Sequence, residues 1–261
     1  VPKNLKKTAF PFRYNDFKEL EKIVNKEDIG VICMEVVRNE EPKDDFLIRV
    51  GELAKNKGIV LIFDECTSGF RQNFGGIHQD YKVEPDMAIF GKAIGNGYAL
   101  TAVVGKEGVM DEANNTFISS TFWSEKIGFV AGLKTLEIME KESSWKKIPR
   151  LGRKIKEDWE KLAKKHDLSI DLFGIDSLPS FCFRSENNQA YKTLITQEML
   201  KQGYLAGTSV YVSTEHSEEI VNSYFNKLDP VFEQIRKCED GLDVMNLLEG
   251  PIAHKTFERL N

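Results

Sequence analysis

Apolar residues recur at helical spacing over residues 17–25, where Phe17, Leu20, Ile23 and Val24 share one face. A continuous apolar run over 30–37 follows, then a second helical stretch over 46–56 with Gly58 placed to stop it. Val60-Leu61-Ile62-Phe63 forms another apolar run, and two more stand at 87–90 and 100–104. These runs are short and rich in β-branched residues, which predicts strands rather than buried helices, and their unbroken apolar content predicts cover on both faces. Strands alternating with helices imply an α/β fold built on an open sheet. Beyond it the pattern lengthens. Residues 125–140 predict a long helix with Ile127, Val130, Ala131, Leu133, Leu136 and Ile138 as its apolar positions. Residues 145–166 predict another, whose charged face (Arg150, Arg153, Lys154, Lys156, Glu157, Asp158) is read as solvated surface. Short strands at 169–173, 179–183 and 210–212, with helices at 189–201 and 217–237, then suggest a smaller α+β domain. The division expected is 1–142 for the larger domain and 143–261 for a linker helix and the smaller one.

Composition narrows the class without naming a function. Hydrophobic residues make up 41% of the chain, charged residues 30%, and the net charge is −5, the profile of a globular protein with no basic excess for nucleic acid. No apolar run approaches the roughly 20 residues that span a bilayer, and no signal-peptide core is visible, so cytoplasmic residence is the default. Cys33, Cys66, Cys182 and Cys238 form no CxxC pair and are expected to be reduced, buried thiols. His78, His166, His216 and His254 are dispersed, which points to surface or loop roles and to no metal site.

The chemistry lies at the ends of two apolar runs. Val60 to Phe63 stops on Asp64-Glu65, and 87–90 stops on Gly91-Lys92-Ala93-Ile94-Gly95-Asn96-Gly97. In an open α/β sheet the carboxyl ends of strands form the ligand crevice, so an acid and an amine would meet there. That pair suits pyridoxal phosphate, which needs a lysine for its Schiff base and an acid to keep the pyridine nitrogen protonated. Taken singly, Lys92 also fits a loop lysine and Asp64 a strand-end cap. A nucleotide phosphate loop does not fit: no Ser or Thr follows Gly91-Lys92, and the spacing to an earlier Gly is wrong.

Three ordered blocks carry a resemblance. They are Phe63-Asp64-Glu65-Cys66-Thr67-Ser68-Gly69-Phe70-Arg71, then Pro85-Asp86-Met87-Ala88-Ile89-Phe90-Gly91-Lys92, then Ser119-Ser120-Thr121-Phe122-Trp123. Together they resemble the class III aminotransferases and aminomutases of the fold-type I pyridoxal-phosphate group. Val31-Ile32-Cys33-Met34-Glu35 and Leu247-Leu248-Glu249-Gly250-Pro251 extend the likeness, the latter toward glutamate-semialdehyde-type members. The resemblance implies part of a large mixed-sheet domain plus a smaller C-terminal α+β domain, pyridoxal 5'-phosphate as cofactor, and amino-group transfer by transamination or aminomutation on a small amine. It places Asp64 at the ring nitrogen and makes Lys92 a buried attachment point and proton shuttle, its pKa lowered by burial. Thr67 falls near the phenolic oxygen. Thr121, assisted by Ser120, reaches a phosphate across a homodimer interface. Cys66 stands where relatives carry Val or Ile against the ring, and Val36 where they carry Pro. Glu65 is read as structural, satisfied by backbone donors or Arg71, and Glu35 as closing its strand or orienting the cofactor loop. The Gly-Ser-rich phosphate loop and ring-stacking aromatic of the family's N-terminal half are not seen. The chain therefore reads as a C-terminal portion, with weak cofactor binding expected. The alternative is a non-catalytic fragment or paralogue acting through association.

Overall fold

The computed structural model describes residues 3–119, 121 and 123–254. Two compact units divide the chain, Val1–Trp145 and Lys146–Asn261.

In the first unit, α1 (Phe17–Lys26) starts where the Asp16 side chain accepts from the Glu19 amide at 3.0 Å, and it buries Leu20 and Val24. Strand β1 (Val31–Glu35) leads to α2 (Phe46–Lys57), which buries Phe46, Leu47, Val50 and Ala54 and ends on Gly58 at φ 66°. That left-handed stop is cheap only for glycine. Strands β2 (Val60–Asp64), β3 (Met87–Phe90) and β4 (Ala102–Gly105) complete a sheet in the order β1-β2-β3-β4. The first three strands are parallel and β4 is antiparallel to β3, so the sheet is mixed. Glu35 pairs with Asp64 and Asp64 with Ile89, which sets the strand ends side by side.

The strands are not covered on both faces. Ile32, Met34, Leu61, Phe63, Ala88 and Phe90 are buried on one face, each large side chain contributing about 1.5–3 kcal/mol. On the other, Val31 is 50% exposed, Cys33 is exposed, and Ile62, Asp64 and Ile89 are half-buried. An apolar run reports residue type, whereas the period-2 alternation of the pleat decides which half of it meets a core. After the short α3 (Glu107–Met110), α4 (Ile127–Glu142) also differs from its expected face. It buries Gly128, Gly132 and Met139 while Ile127, Val130, Leu133 and Ile138 stay exposed. The two glycines lie one turn apart, and a Cβ on either would strike Ala99 or Leu100. Close backbone approach at Gly128 and tight side-chain packing at Gly132 therefore choose the buried face over side-chain hydrophobicity.

In the second unit, α5 (Ser144–Lys165), α6 (Asn188–Lys201) and α7 (Glu218–Glu239) enclose a core with the antiparallel pair β5 (Ile170–Phe173) and β6 (Ser180–Phe183). Phe183 lies 5.5 Å from Tyr191 and 5.4 Å from Phe232, and Trp159 lies 4.7 Å from Phe181. The Trp159 indole N–H donates to Tyr224 Oη at 3.0 Å, so the core carries no lost donor there. Residues 210–212 form no strand: an isolated bridge joins Ser180 to Ser209, and the Val210 and Val212 amides donate to Pro179 and Ser177. His166, expected on the surface, is 11% exposed and lies 2.5 Å from Asp229.

Candidate active site

Strand β2 delivers two carboxylates to opposite faces. Asp64 follows Ile62 onto the half-open face, where its Oδ1 accepts from the Cys66 amide at 3.0 Å. This local bond turns the chain immediately after the strand. Glu65, one residue on, is fully buried. It accepts from Ser68 Oγ at 2.6 Å, from the Ile77 and His78 amides at 2.9 Å each, and from His78 Nδ1 at 2.7 Å. A carboxylate only accepts, so the His78 ring carries its proton on Nδ1. Burial raises the Glu65 carboxyl, but the bonds from His78, Ser68 and the two amides outweigh it and hold it below the usual glutamate range. Gly76 makes room, since a Cβ there would lie 2.7 Å from Glu65 Oε1. Glu65 thus ties both ends of the loop carrying Cys66 and Thr67.

Thr67 and Ser68 are buried in that loop, and Arg71 Nε donates to the Thr67 carbonyl at 2.7 Å. The Thr67 hydroxyl accepts from Lys92 Nζ at 2.9 Å. Lys92 leaves β3 through Gly91 and opens a 3₁₀ turn, Lys92–Ile94, with φ 47°. Such left-handed geometry costs a non-glycine residue about 1–3 kcal/mol and concentrates at functional sites. It aims the amine back across the loop after β2. Gly91 packs beside Cys66 and Thr101: a Cβ there would sit 3.4 Å from Cys66 Sγ and 3.6 Å from Thr101 Cγ2.

Several expectations change here. Lys92 is exposed rather than buried. The Thr67 hydroxyl contacts the lysine amine, a partner that the resemblance did not indicate. Glu65 does use backbone donors, joined by Ser68 and His78, while Arg71 Nε serves the Thr67 carbonyl. Of the thiols only Cys238 is buried; Cys33 is exposed, Cys66 and Cys182 are intermediate, and all are free. Cys33 lies on the open face of β1, which is why apolar flanks did not bury it. Glu35 pairs with Arg38 at 3.3 Å at the end of β1. Thr121 is exposed in the turn before α4, and Ser120 lies outside the described residues. Sequence reasoning missed His78 as a clamp. The Gly75-Gly76 pair ahead of it was the available sign of a close approach.

Asp64, Cys66, Thr67 and Lys92 fit a flat, protonated pyridine aldehyde. A half-buried carboxylate suits its ring nitrogen and a tethered amine its carbonyl. Among the described residues, no group of three His, Cys, Asp or Glu side chains could hold a metal ion.

The family model described as Aminotransferase class-III matches residues 6–226. A 3-aminobutyryl-CoA aminotransferase of Cloacimonas acidaminovorans is 34% identical over 236 residues, covering 84% of this chain and 56% of that protein. A glutamate-1-semialdehyde 2,1-aminomutase of Saccharolobus islandicus is 29% identical over 253 residues, covering 90% and 59%. The chain thus spans a little under three fifths of these relatives' length. Among solved structures, the PLP internal aldimine form of Sphingopyxis sp. MTA144 FumI protein has a TM-score of 0.80 at 20% identity, covering 92% of this chain and 60% of its own. An acetylornithine aminotransferase from Elizabethkingia anophelis has a TM-score of 0.75 at 21% identity, covering 86% and 60%.

Proposed function

Because the chain belongs to the class-III aminotransferase family, we propose that it carries the lysine-bearing portion of an enzyme that moves an amino group with pyridoxal 5'-phosphate, by transamination or aminomutation. When bound, that cofactor supplies an electron sink for the pair left when a proton departs the amine-bearing carbon. Asp64 holds a proton at the ring nitrogen and so keeps the sink deep. Lys92 Nζ would hold the cofactor at its carbonyl carbon and would serve as the group that takes and returns the proton. Thr67 Oγ1 fixes Nζ during both tasks, and Cys66 with Gly91 lines one side of the ring. Thr121 and Ser120 hold the phosphate of a second copy's cofactor, making the active unit a homodimer. The substrate is a small amino donor with its acceptor. The four free thiols accord with a reducing, cytoplasmic setting.

One observation carries the proposal: the strained Lys92 amine sits 2.9 Å from Thr67, in the loop that begins at Asp64. Added pyridoxal phosphate should give a near-visible absorption band that Lys92→Ala abolishes. An undiminished band in that variant would remove Lys92 from the role.

A further inference from the structure

Between positions 146 and 156, α5 carries six basic residues and no acid. Two of them, Arg153 and Lys156, are answered by Asp176 at 2.7 and 3.1 Å. The other four, Lys146, Lys147, Arg150 and Lys154, line a recess of about 630 Å³ that α5 forms with the segment leading into α7. Among the described residues the walls of that recess hold one carboxylate, Glu218, 3.7 Å from Arg150. Lys154 also reaches Asp158 at 2.5 Å and Asn222 at 3.3 Å, whereas Lys146 has no ion pair among the described residues. Four cations gathered around one carboxylate, in a chain of net charge −5, make a local positive field that favours an anion.

The facing wall adds neutral donors. The Ser213 amide donates to His216 Nδ1 at 3.1 Å, so the neutral ring carries its proton on Nε2, where it can be donated to a ligand. Ser213 and Thr214 bring hydroxyls to the same wall. We propose that this recess binds a small molecule carrying a phosphate group with at least two negative charges. Phosphate presents several acceptor oxygens to converging cations and hydroxyls, whereas the single charge of a carboxylate would leave most of these cations unanswered. The volume falls within the range of about 300–1,000 Å³ of small-molecule sites, and the negative net charge opposes a long polyanion. The recess lies wholly in the second unit, so the proposal does not rest on the cofactor reading above.

The test is calorimetric titration of the whole chain with sodium pyrophosphate, without pyridoxal phosphate. A saturable one-to-one isotherm is expected, weakening several-fold as salt rises from about 0.05 to 0.2 M. Arg150→Gln and, separately, Lys146→Gln should each weaken binding about fivefold, while Arg153→Gln, which removes a charge of the same run outside the recess, should change it by under about twofold. Lys146, Arg150 and Arg153 are exposed, so these variants keep the fold, which circular dichroism checks. Equal losses in Arg150→Gln and Arg153→Gln would show attraction to the helix as a whole and overturn the site. No saturable binding at millimolar pyrophosphate would overturn it outright. A single-stranded oligonucleotide that binds more tightly than pyrophosphate would overturn it too, by assigning the recess to nucleic acid. Loss of the cofactor band in Lys92→Ala bears only on the functional reading and leaves the titration unchanged.

Discussion

At the scale of single residues, Glu65 is the buried charge on which the site loop depends, with no face to water and four hydrogen bonds. Its folded pKa is held below the unfolded value of about 4.3, so its stabilisation is present above that pH and is lost as pH falls through the folded value. Acid titration of the urea midpoint should therefore steepen below about pH 4. Glu65→Gln should flatten that limb and cost about 1–3 kcal/mol at neutrality, because a buried acceptor is replaced and a donor introduced. An unchanged acid limb would contradict the clamp. Thr67→Val removes the oxygen that accepts from Lys92 Nζ. Cofactor retention should weaken about tenfold, near the 1.5 kcal/mol of a modest bond to a charged group, with the fold intact by circular dichroism. The placement of Asp64 at the end of β2 and of Lys92 just after β3 was legible in the sequence because each apolar run stops near a polar residue. The partner of Thr67 and the contact of His78 with Glu65 were not, since both depend on the loop folding back, which local pattern does not encode.

At the scale of elements, the sequence disclosed strands and helices but not their faces. The run at 60–63 is apolar throughout, yet only Leu61 and Phe63 reach the core. In α4 the bulky apolar residues named the element, whereas Gly128 and Gly132 chose its packing face. Gly128→Val should for this reason be more damaging than Ile138→Ala, because the former collides with the Ala99 carbonyl and the latter trims an exposed side chain. Comparing their thermal midpoints checks this, and the reverse order would refute it. In the second unit, Phe232 is fully buried beside Phe181 and Phe183. Phe232→Ala should cost about 3–5 kcal/mol. Trp159 fluorescence reports that core, so its denaturant midpoint is the readout to follow.

At the scale of the molecule, two compact units divide between Trp145 and Lys146, and no helix among the described residues is long and apolar enough to cross a membrane. The first unit leaves Ile127, Phe129, Val130 and Leu133 of α4 exposed beside the turn that holds Thr121. Apolar surface gathered on one helix is characteristic of an association face. The proposed homodimer then predicts a concentration-dependent dimer in sedimentation that Val130→Asp with Leu133→Asp drives to monomer. A chain that stays monomeric at high micromolar concentration would contradict it.

The proposed function makes Lys92 the amine on which the chemistry runs. The most direct measurement is borohydride reduction of the chain in excess pyridoxal phosphate, followed by intact mass and peptide mapping, because trapping registers weak occupancy as well as strong. One reduced cofactor adduct is expected, on Lys92, lost in Lys92→Ala. An adduct spread evenly over surface lysines, or one that persists when Lys92 is removed, would contradict it.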